Sequence, residues 1–130
     1  MKKGNPVVWF EIYVDDLERA KKFYEKVFDL DLVEMPMPEA IDDDMKMLFF
    51  PSDMESKNTA SGALVQMEGF KAGGSSTIVY FMSEDCGIEA SRVKEAGGEV
   101  FQPKTAIGEF GFMVLATDTE GNMIGIHSMS

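Results

Sequence analysis

Glu11 stands between two aromatic residues at alternate positions, Trp9 and Tyr13, and the chain's one histidine, His127, lies two positions beyond Gly125 near the other end. A carboxylate and an imidazole facing one apolar cavity can move a proton, because histidine titrates near neutrality. Both side chains also bind divalent metals, although two ligands are too few for an ordinary closed protein site. The same pair can instead satisfy each other as a buried hydrogen bond, or anchor a polar ligand. Trp9 and Tyr13 add stacking and cation–π contact, with Glu11 as counter-charge. The candidate catalytic residues are therefore Glu11 and His127. The candidate ligand-binding residues are Trp9, Glu11, Tyr13, Phe81, Phe110 and His127.

Other chemistry-bearing groups carry less. The single cysteine, Cys86, reads as a small buried hydrophobe, with no histidine or lysine adjacent in sequence to activate it. Asp42-Asp43-Asp44 lacks the spacing, glycine and glutamate of a calcium loop and reads as a solvated acidic turn. Gly69–Ser76 is glycine- and serine-rich but lacks the ending of a phosphate loop, so it reads as a linker. Gly108-Glu109-Phe110-Gly111 places Phe110 either at a pocket rim or in a plain hairpin turn. The many methionines and phenylalanines are mostly core, and some can line an adaptable pocket.

The elements that must position these residues occur twice. Val7–Val14 alternates, with Val8, Phe10, Ile12 and Val14 on one face and Trp9, Glu11 and Tyr13 on the other. A helix over Leu17–Phe28 follows, capped by Asp15 or Asp16 and apolar at Leu17, Ala20, Phe23, Tyr24, Val27 and Phe28. Strands are expected at Leu30–Met37, Met45–Phe50 and Ser61–Glu68. The second half repeats the order: strand Thr77–Met82, helix Cys86–Ala96 stopped by Gly97-Gly98, then strands Glu99–Ala106, Phe112–Thr117 and Met123–Ser128. The turn Asp118–Asn122 precedes the last strand, where Ile124 and Ile126 oppose Met123, Gly125 and His127. Gly125 leaves room for a ligand or a large side chain.

The expected architecture is α+β: one domain over 1–130 made of two βαβββ modules, 1–70 and 71–130, whose curved mixed sheets enclose a central pocket. With 130 residues and 45% apolar content the chain can bury a core, and modules of this size should share it. The net charge of −11 argues against nucleic acid. No long charge-free apolar run indicates a membrane span or signal peptide, and one cysteine suits a reducing cytoplasm.

Val14-Asp15-Asp16-Leu17-Glu18-Arg19-Ala20 with Phe23-Tyr24 and Val27-Phe28, Arg92-Val93 with Ala96-Gly97-Gly98, and Asp118-Thr119-Glu120-Gly121-Asn122 resemble the vicinal oxygen chelate superfamily. That superfamily groups glyoxalase I, bleomycin-resistance proteins and extradiol dioxygenases. The resemblance covers essentially the whole chain. It implies a metal held by His or Glu side chains from the first and last strands of each half. Transferred by position, those ligands fall at Trp9, at Thr77, near Val65 or Gln66, and at Gly125, none of them His or carboxylate. The expectation is therefore no cofactor, as in the bleomycin-resistance branch, which sequesters a ligand without metal; a divalent metal at a displaced position is left open. The resemblance also implies a homodimer. Three functions remain: binding of an apolar or aromatic small molecule, cations included; lyase or isomerase-type proton transfer by Glu11 and His127; and a non-catalytic dimerisation module.

Overall fold

At Asp15-Asp16 the apolar period changes from that of a strand to that of a helix, and the chain turns there. The structure is a computed structural model and describes residues 9–34, 45–51, 60–74 and 77–130. Strand β1 (Trp9–Tyr13) leads into α1 (Leu17–Phe28), followed by β2 (Met45–Phe49) and β3 (Ser61–Met67). The second module runs β4 (Val79–Met82), α2 (Cys86–Val93), β5 (Glu99–Ala106), β6 (Phe112–Thr117) and β7 (Met123–Ser128), with a 3₁₀ turn at Gly108–Phe110. Asp16 caps α1 by accepting from the Arg19 amide, and Asp85 caps α2 by accepting from the Gly87 amide. The second helix is shorter than the expected Cys86–Ala96. It ends at Val93, and the chain leaves through Gly97 at φ 98°, which a side chain would strain.

The two sheets have orders β1-β3-β2 and β4-β7-β6-β5. In each, the first strand lies parallel to the last, so the helix is a crossover packed on one face. The expected strand Leu30–Met37 reduces, among the described residues, to a bridge at Val33, whose backbone exchanges two hydrogen bonds with Phe49. Val33 flanks β2 as β5 flanks β6. Residues 35–37 and Asp42-Asp43-Asp44 fall outside the described residues.

The duplication extends to individual hydrogen bonds. Val14 N–H donates to Val65 O at 2.9 Å, and Ser83 N–H to His127 O at 2.8 Å. The first amide of α1, on Leu17, donates to the Gln66 side chain, and that of α2, on Cys86, to the Ser128 hydroxyl, both at 2.9 Å. Each last strand thus satisfies an otherwise orphaned helix amide. These pairs fix the correspondence between the modules.

One core serves both modules. Ile12, Val14, Phe23, Tyr24 and Val27 from the first pack with Val93, Ala116 and Ile124 from the second. Phe81 on β4 stacks on Phe28 of α1 with ring centroids 4.4 Å apart. Each fully buried aliphatic or aromatic side chain contributes about 1.5–3 kcal/mol, so this shared core ties the two modules together. No described helix is long and apolar enough to cross a membrane.

Candidate functional site

Because Ile12 and Val14 are drawn into the core, strand alternation turns Trp9, Glu11 and Tyr13 to the opposite face of the first sheet. There they form one hydrogen-bonded group. The Trp9 indole N–H donates to Glu11 Oε2 at 3.2 Å, and the Tyr13 hydroxyl donates to Glu11 Oε1 at 2.8 Å. Both carboxylate oxygens are thereby oriented while the side chain stays exposed. The bond to Glu11, with partial burial and the carboxylate's charge, raises the Tyr13 phenol above its ordinary range. Tyr13 stacks on Phe70 at 5.3 Å, and Trp9 meets Phe49 at 6.0 Å.

Glu11 and Tyr13 open on a cleft of about 440 Å³ at the junction of the modules. Ile12, Val79, Met123 and Ile124 supply its apolar wall, and Phe70, Lys71, Thr77 and Asn122 its rim. The linker is tied down at this rim. Ala72 N–H donates to Asp15 Oδ1 at 3.0 Å, and Gly73 N–H to Asn122 Oδ1 at 2.7 Å. Sequence reasoning missed Phe70 and Lys71 because they sit in a segment read as a spacer. Their signal was a large aromatic and a cation amid glycine and alanine.

The Asp118–Asn122 turn crosses from the second module to hold this junction. Asp118 accepts from the Tyr24 hydroxyl at 2.7 Å and from the amides of Glu120 and Asn122. Burial pushes the Tyr24 phenol well up, and Asp118 reinforces the shift. The Glu120 carboxylate is fully enclosed and accepts from the Asp15 and Asp16 amides, Thr119 and the Arg19 guanidinium, the last at 2.7 Å. Burial alone would raise this carboxyl. The Arg19, Thr119 and amide donors outweigh it and hold the pKa at about 2.

The remaining sequence-derived candidates lie elsewhere. His127 Nε2 meets the Phe110 carbonyl at 2.6 Å, which couples the last strand to the glycine-flanked turn. His127 borders a separate hollow with Met82, Ser83 and Met129, so Glu11 and His127 lie on different sheets and line different hollows. Phe110 is largely exposed beside it. Phe81 faces the helices, because its partner across β4 and β7 is the buried Ile126; Tyr80 instead points to the open face. There Tyr80 pairs with Gly125, and its ring lies only 2.4 Å from where a Cβ would stand. The room left by Gly125 is filled by Tyr80.

Residues 7–42 match the family model described as bleomycin resistance protein-like N-terminal. The fold extends the likeness over nearly the whole chain. A hypothetical protein from S. aureus superposes with a TM-score of 0.68 at 20% identity, over 93% of this chain and 95% of that one. A glyoxalase/bleomycin resistance protein/dioxygenase superfamily member from Sphaerobacter thermophilus superposes at 0.67 and 18% identity, over 95% and 97%. The chain has the fold of these glyoxalase/bleomycin resistance proteins. Glyoxalase I from Zea mays also superposes, with a TM-score of 0.72 at 19% identity, over 94% of this chain and 44% of that one. The chain therefore spans less than half the length of the maize enzyme. No curated protein sequence matches it.

Module correspondence places the metal positions that the sequence resemblance implies. The counterpart of Trp9 is Ile78, one residue after the expected Thr77. The counterpart of Gly125 is Ala63 rather than Val65 or Gln66, since Glu11 pairs with Ala63 as Tyr80 pairs with Gly125. The side chains of Trp9, Ile78, Ala63 and Gly125 do not ligate metal, and the Tyr80 ring covers the last of these positions. Among the described residues no three His, Cys, Asp or Glu side chains are grouped to hold an ion. These residues do not fit the metal that the resemblance implies.

Proposed function

We propose that this protein binds an apolar or aromatic small molecule, cations included, in the cleft between its modules. The observation that carries the reading is the Glu11 carboxylate, held by Trp9 and Tyr13 at the edge of a cleft that has one apolar wall. A charge already oriented by neighbouring donors loses little freedom when a ligand arrives, which favours binding. The competing reading, proton transfer by Glu11 and His127 together, is disfavoured by their separate surroundings.

Trp9 is the chain's one tryptophan and touches Glu11, so its fluorescence reports on the cleft. Phenethylamine is expected to change this signal saturably, one molecule per chain, and His127→Asn to leave the affinity within about twofold. Loss of binding in His127→Asn would favour the joint site instead.

The proposal extends to assembly in a cytoplasmic setting. The open faces of both sheets and the edge strand β5 leave backbone and apolar surface for a second copy. Sedimentation at micromolar concentration is expected to give twice the chain mass. The chain mass alone would refute the dimer and leave the cleft untouched.

A further inference from the structure

Among the described residues two charged side chains line the cleft, and they are of opposite sign and do not meet. Glu11 is fixed by Trp9 and Tyr13. Lys71 lines the same cleft, and its ammonium forms no ion pair or hydrogen bond with a described residue. Its position is nevertheless set by its neighbours in sequence. Phe70 is stacked on Tyr13, and the Ala72 and Gly73 amides are tethered to Asp15 and Asn122. Asn122 is already engaged at both ends of its amide, by Gly73 on one side and by Tyr13 O and Asp118 on the other. Among the described residues Glu11 and Lys71 are therefore the charged anchors available to a ligand.

We infer that the cleft selects a small zwitterion, with its ammonium on Glu11, its carboxylate toward Lys71, and an apolar or aromatic group against Ile12, Val79 and Phe70. This rests on the reading that the cleft binds a small molecule and adds the ligand's charge pattern. A simple cation would gain Glu11 but face Lys71. A simple anion would gain Lys71 but face Glu11 and a chain of net charge −11. A molecule carrying both charges meets each anchor with its complement and leaves no like charges opposed.

A matched phenyl series tests this by Trp9 fluorescence: L-phenylalanine carries both charges, phenethylamine only the ammonium, 3-phenylpropionate only the carboxylate, and ethylbenzene neither. L-Phenylalanine is expected to bind about tenfold more tightly than phenethylamine, and more tightly still than 3-phenylpropionate. Lys71→Met should remove the advantage over phenethylamine, and Glu11→Gln the advantage over 3-phenylpropionate, each without shifting the thermal melt. Saturable binding of phenethylamine or ethylbenzene as tight as that of L-phenylalanine would overturn the zwitterion inference while sparing the cleft as a binding site. No response to any of the four would overturn both.

Discussion

Replacing Glu120 with alanine is expected to lower the free energy of unfolding by about 2–4 kcal/mol, read from denaturant titration. The carboxylate is enclosed and links the second module to the start of α1 through Arg19 and the Asp15 and Asp16 amides. Arg19 is half exposed and would regain water, which keeps the cost below that of stranding a buried charge. The same group sets an acid response. Its folded pKa of about 2 lies below the ordinary 4.5, so its stabilisation is complete above pH 4.5 and is lost as the pH falls toward 2. In Glu120→Gln this component disappears, and stability should fall less steeply than in the parent between those pH values. Parallel profiles for the two proteins would show that Glu120 does not couple the modules.

Glu11→Gln is expected to weaken binding of a phenethylammonium-type ligand more than tenfold, equivalent to about 1.5–3 kcal/mol for a lost charge-assisted contact. Stability should barely change, because Glu11 is exposed and its bonds to Trp9 and Tyr13 lie on the surface of the sheet. A second readout is independent of any ligand. Glu11 raises the Tyr13 phenol, so in Glu11→Gln that phenol should ionise at lower pH in an ultraviolet titration. A variant with an unchanged Tyr13 titration and unchanged affinity would remove Glu11 from the site.

The modular fold was legible because its signals are local and repeated. Strand alternation ending in Asp15-Asp16, the helical stripe from Leu17 to Phe28, and Gly97 at a helix end each follow from backbone geometry that neighbouring residues determine. The face carrying Trp9, Glu11 and Tyr13 followed from parity once the helix was placed on the other side. Parity did not settle β4, because Thr77–Met82 is apolar on both faces; only its pairing with β7 turns Phe81 inward and Tyr80 outward. The link from Glu120 to Arg19 joins residues far apart in sequence, and no local pattern announces it. The partner of His127 is a backbone carbonyl, which any residue could have supplied. The cleft rim at Phe70 and Lys71 depends on how the linker is tied to Asp15 and Asn122, a tertiary outcome that composition does not reveal.

The central claim is that a ligand enters at the junction of the modules and contacts the Glu11 group. Amide and indole ¹⁵N chemical shifts recorded during a phenethylamine titration test it most directly. The expected map centres on the Trp9 indole N–H, Glu11, Tyr13, Phe70, Lys71 and Val79, moving together with one dissociation constant. Shifts centred instead on Met82, Phe110 and His127, with the Trp9 indole N–H unmoved, would contradict it.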